Sequence, residues 1–151
     1  MAVTDFLSEY PAFKNFEQSD FDNLATVCTE QNYKKDEVIC AEETPGDKMF
    51  IIKAGSVKVL KKVKEKETTL AVLNKGDFTG DMAVLDGSNR SATLKSAMDT
   101  KLLVIQKKVF EDFKQKYTVS AIKLLDILVK GLSQRLRSAN KNIEAISFWV
   151  E

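Results

Sequence analysis

From Asn32 onward the chain breaks into short β-rich runs separated by turn signals, and a chain punctuated in this way has few folds open to it. Thr44-Pro45-Gly46-Asp47 places proline and glycine for a type II turn, and Ala54-Gly55-Ser56 interrupts the next run. Lys61 to Glu67 is almost wholly charged, with Glu65 and Glu67 interleaved among lysines, which reads as the solvated end of a hairpin. Ser91 to Ser96 and Lys101 to Ile105 close the series. Several short strands at this spacing predict a mainly β protein, an antiparallel jelly roll over residues 32–106.

Helices flank it. Phe21, Leu24, Ala25 and Cys28 recur at helical spacing, with Ser19 where an N-cap belongs and Asp22 three residues on, so residues 1–31 are expected to be helical. Residues 107–151 read as a helix over Lys107 to Lys116 and a much longer one from Thr118. In the long helix, Val129, Leu136, Ile143 and Val150 fill one alternating set of a heptad seam and Leu125, Leu132, Ala139 and Ile146 the other. Such a seam predicts a homodimer through paired parallel helices; the alternative is a stripe that packs on the barrel. At 151 residues the whole is expected to be a single domain, residues 1–151.

Charge and composition exclude several functions. Lys and Arg number 23 against 22 Asp and Glu, a balance that does not suit a constitutive partner of nucleic acid. No run of 18 apolar residues suggests a membrane span, and Met1 to Tyr10 lacks the blocks of a secretory signal, so a cytoplasmic location is expected. There is no histidine, which removes Ser-His-Asp and Cys-His catalysis and histidine-ligated metal centres. A GxxxxGK loop is also missing; neither an enzyme nor a metal site is expected. Cys28 and Cys40 read as buried free thiols.

One segment carries chemistry. Gly80 lets the backbone approach a ligand closely, and Asp81 to Leu85 suit a short helix whose first NH groups point at an anion. Arg90 supplies a planar guanidinium that donates two parallel bonds to phosphate, and Ser91 adds a hydroxyl. Ionised Asp81 only accepts, which is what a sugar hydroxyl needs from a partner.

Gly80, Met82, Ala83, Arg90, Ala92 and Thr93, led in by Gly76-Asp77, resemble the phosphate-binding cassette of the cyclic nucleotide-binding domain family. The resemblance extends over Lys35 to Ile39, Pro45 to Asp47 and Met49 to Val59, and it is strongest to bacterial receptors related to catabolite activator protein. It implies a β-roll with a short cassette helix, and a cyclic AMP or cyclic GMP ligand without further cofactor. The phosphate would sit on Arg90 and Ser91 within the cassette residues Gly80, Met82, Ala83 and Ala92. The ribose hydroxyl would sit on Asp81, where the family has glutamate. Val72, Met82 and Leu94 would line the sugar and base cavity. The long helix would cover the purine, with Arg135 and Asn140 near it, since Gln134-Arg135-Leu136 resembles the receptors' Arg-Arg-Leu. No DNA-reading helix follows before Glu151, so the expectation is a sensor that signals to its own dimer or to an effector protein. The competing reading is a β-roll adaptor for assembly that no longer binds nucleotide.

Overall fold

The structure, a computed structural model, describes residues 2–150, and side chains as far as Lys141. Eight antiparallel strands follow one another as β1 (Thr29–Tyr33), β2 (Val38–Cys40), β3 (Lys48–Ala54), β4 (Ser56–Val63), β5 (Lys66–Asn74), β6 (Phe78–Thr79), β7 (Thr93–Ser96) and β8 (Thr100–Gln106). Four helices accompany them: α1 (Gln18–Ala25), α2 (Asp81–Asp86), α3 (Lys107–Lys116) and α4 (Thr118–Val150), with two short 3-10 turns before α1. The strands form two four-stranded sheets, ordered β1-β8-β3-β6 and β2-β7-β4-β5. This is the expected antiparallel jelly roll with flanking helices, its first strand opening at Thr29 rather than after Asn32.

Strand alternation divides the core in two. From β3, Phe50 and Ile52 point between the sheets, where they meet Val57, Leu94, Leu102 and Val104. Their neighbours Met49 and Ile51 point the other way, into a second cluster with Leu24, Leu103, Ile105, Phe110, Phe113, Leu124 and Leu128. The helices therefore pack on the back of one sheet and leave the other free to wall a cavity.

Local chemistry differs from the sequence reading at two places. Helix α1 starts two residues earlier than Ser19 implies, because the Asp20 carboxylate accepts from the Glu17 backbone N–H at 2.8 Å and fixes Glu17 as the cap. The turn before β3 is not at Pro45-Gly46. It closes over Ala41 to Thr44 with Glu43 at φ +66°, and Pro45 instead bridges to Asn89. The charged hairpin end is a two-residue loop, with Lys64 and Glu65 both at positive φ between paired Val63 and Lys66.

A buried polar knot fixes the root of α4. Asp20 accepts from Ser120 Oγ at 2.5 Å and from Lys123 Nζ at 2.6 Å, and Asn23 donates to Ser120 Oγ at 3.1 Å. Burial alone would raise the Asp20 carboxyl, but Lys123 and Ser120 outweigh it and hold Asp20 below the usual carboxylate range. Cys28 and Cys40 are free and partly buried. Burial pushes the Cys28 thiol up to about 12, which leaves it inert as a nucleophile.

Candidate functional site

A cavity of about 1100 Å3 opens between the β2-β7-β4-β5 sheet, α2 and α4. Its floor is the segment from Gly80 to Ala92, and the geometry there starts from two glycines. Gly80 caps α2 at φ +74°, a conformation glycine adopts without strain, and a Cβ there would lie 2.6 Å from Arg90 Nη1. Gly46 approaches equally closely: a Cβ would collide with that of Ala83 and lie 3.1 Å from Arg90 Nε. The missing side chains leave the space in which Arg90 lies.

Arg90 is only 6% exposed. Its Nη1 donates to the Gly80 carbonyl at 3.0 Å and its Nη2 to the Lys48 carbonyl at 2.6 Å, while the guanidinium lies 5.6 Å from the Phe50 ring centroid. Its Nε is buried without a partner. Among the described residues no carboxylate pairs with this cation. A buried charge held by carbonyls alone is a costly arrangement unless an anion completes it.

Asp81 is the complementary case. It is fully buried, its Oδ2 accepts from Arg135 Nη2 at 2.8 Å, and its Oδ1 has no partner. An orphaned carboxylate oxygen beside a cavity is a place for a hydroxyl or amine donor. The cavity thus holds a cation lacking its anion and an acceptor lacking its donor.

Of the residues singled out from sequence, Gly80, Asp81, Met82, Ala83, Arg90, Ser91, Ala92, Leu94 and Arg135 line this cavity together. Two do not. Val72 is half exposed and lies off the wall, because the bulge opposite Val59 and Leu60 pairs Ala71 with Val59 and Leu73 with Val57, turning those residues inward and Val72 outward. Asn140 is exposed and off the wall too, while Ser138 and Ala139 take the positions on it. Gly46, Phe50 and the Lys48 carbonyl were missed, since only the folded chain brings β3 and the residues before it under Arg90; Gln134, named in the sequence only as part of the Gln134-Arg135-Leu136 motif, is on the wall. Among the described residues no group of His, Cys, Asp or Glu is arranged to hold a metal ion, and no helix is long and apolar enough to cross a membrane.

The chain is 32% identical over 111 residues to the cGMP-dependent protein kinase, isozyme 2 forms cD5/T2, of Drosophila melanogaster, an alignment covering 71% of this chain and 12% of the kinase. It is 21% identical over 147 residues to the CRP-like cAMP-activated global transcriptional regulator of Mycobacterium tuberculosis, covering 97% of this chain and 64% of the regulator. The chain therefore spans about an eighth of the kinase and under two thirds of the regulator. A solved cyclic nucleotide-binding domain from Methylobacillus flagellatus superposes with a TM-score of 0.84 at 22% identity, over 93% of this chain and 80% of that one. The family model for the cyclic nucleotide-binding domain matches residues 30–117, more than half of the chain, and the protein belongs to that family.

Proposed function

We propose that the protein is a regulatory module that binds a 3′,5′-cyclic purine nucleotide and passes on its occupancy through α4, to a second copy of itself or to an effector protein. The observation that carries this is the pair of orphans in one cavity: buried Arg90 without an anion and the Asp81 Oδ1 without a donor. A cyclic phosphate and a ribose hydroxyl on one rigid sugar supply both at once. Relatives named for cyclic GMP and for cyclic AMP support the ligand class. The output through α4 is supported by Arg135, which ties that helix to the carboxylate expected to hold the sugar.

Titration calorimetry with cyclic AMP and cyclic GMP tests the reading. The wild-type chain is expected to bind at least one of them, and Arg90→Leu to lose about 2–5 kcal/mol of that affinity by leaving the phosphate without its charge partner. Failure to bind either nucleotide at millimolar concentration rejects the sensor and leaves the assembly adaptor.

A further inference from the structure

Three of the four edge strands are guarded. β1 is built of polar residues up to Tyr33, and β2 and β6 run for only three and two residues. Shortness and polarity are how natural sheets keep foreign strands from pairing. β5 is the exception. It runs for nine residues at the end of the β2-β7-β4-β5 sheet and is exposed at every position but Leu73. Thr68 to Leu73 carries neither charge nor proline, and Leu70 and Val72 stand 55% and 50% exposed. The bulge at Leu70 bends this edge but leaves paired residues on both sides of it. Among the described residues, no backbone group of residues 66–73 is hydrogen-bonded outside the ladder with β4.

The outer face of the same sheet is charged in a way that selects what the edge accepts. Val38, Lys95, Lys58 and Val72 lie opposite one another across its four strands. Lys58 alternates with Val57 and Val59, and Lys95 with Leu94 and Ser96, so both lysines point away from the core and the cavity. Like charges directly opposite on a sheet repel, and neither lysine pairs with a carboxylate among the described residues. A strand added beyond β5 would lie about 10 Å from β4, a gap that a lysine and a glutamate span together. An acid there draws Lys58 away from Lys95.

We propose that the free edge of β5 is a docking site for an extended, acidic segment of a partner protein, which joins the sheet as a fifth strand. The N–H and C=O groups that alternate along the edge match a peptide backbone, which neither a nucleic acid nor a membrane surface supplies. The segment's carboxylates fall on the outer face beside Val72, within reach of Lys58, and its apolar side chains on the inner face beside Leu70. The inference does not depend on what fills the cavity.

The test uses the full chain and a labelled eight-residue peptide that alternates valine and glutamate, with binding read by fluorescence anisotropy and the site by amide hydrogen exchange. The peptide is expected to bind and to slow exchange over residues 67–73. Replacing its glutamates by lysine should weaken it by about 5-fold or more, and Lys58→Glu should reverse that preference, with melting curves to confirm that the variant folds. Methylating alternate peptide nitrogens removes the bonds to the edge and should weaken it by about 10-fold or more. Equal binding of the methylated peptide means attraction by charge alone and overturns strand addition. A preference that Lys58→Glu leaves unchanged overturns the acidic partner. No binding of the glutamate peptide at millimolar concentration, or protection that falls elsewhere than β5, overturns the docking site and leaves the nucleotide reading untouched.

Discussion

The space under Arg90 is set by single atoms. Gly46→Ala would drive a methyl into Ala83 and against the arginine, displacing either the cassette helix or the guanidinium. The expected cost is about 1–3 kcal/mol of stability, as for other overpacked sites, together with weaker nucleotide binding. Thermal melting and calorimetry on one preparation check both, and a variant indistinguishable from wild type would mean that the segment before β3 yields at no cost. Asp81 has one partner in the structure, Arg135, and one under the proposed function, the sugar. Asp81→Ala removes the acceptor proposed for the sugar and leaves Arg135 without its carboxylate, and should weaken nucleotide binding by about 1–3 kcal/mol. Asp81→Glu keeps an acceptor and should bind as well or better. Near-neutral binding in the alanine variant takes the carboxylate out of the sugar contact.

At the scale of the element, the β4–β5 hairpin turns through Lys64 and Glu65, both in a left-handed conformation that side chains resist. Asn and Gly are the residues that this loop favours, so Lys64→Asn with Glu65→Gly should raise stability by about 1 kcal/mol or more, read as a higher melting temperature. A lowered one would show that the loop is held by contacts of the lysine or glutamate. The hairpin itself was legible, because charge interrupted two β-rich runs; its turn type was not, since neither residue advertises positive φ. Helix α3 was read to the residue, from Lys107 to Lys116, because its amphipathic period ends where α4 begins. Val72 was misplaced for the opposite reason. Leu70 to Leu73 is apolar at every position, so the run carries no parity, and only the bulge decides which residues face in. The Pro45-Gly46 pair misled in turn: its glycine serves a close approach to Arg90, a long-range demand that a local turn rule cannot express.

For the whole molecule, the cassette was legible because its residues lie within one short stretch, whereas the β3 backbone beneath it and the α4 face above it come together only on folding. The outer side of α4 leaves Val129 and Leu136 exposed and Leu132 partly so, in the register of the heptad seam. Ile143, Ile146 and Val150 of that seam lie outside the described side chains. If two copies pair there, sedimentation of wild type at micromolar concentrations gives a dimer, and Val129→Lys with Leu136→Lys gives a folded monomer. A wild-type monomer, with and without nucleotide, ends the dimer proposal. The length of α4 has a mechanical consequence. Its 33 residues make a rod about 50 Å long, gripped at its root by the knot around Asp20. About 28 Å of that rod projects beyond Gly131, so a tilt of only about 10° there would sweep the far end through about 5 Å. Were the contents of the cavity to tilt α4, they would act on the short arm of a lever, and the displacement would be largest at the end farthest from it.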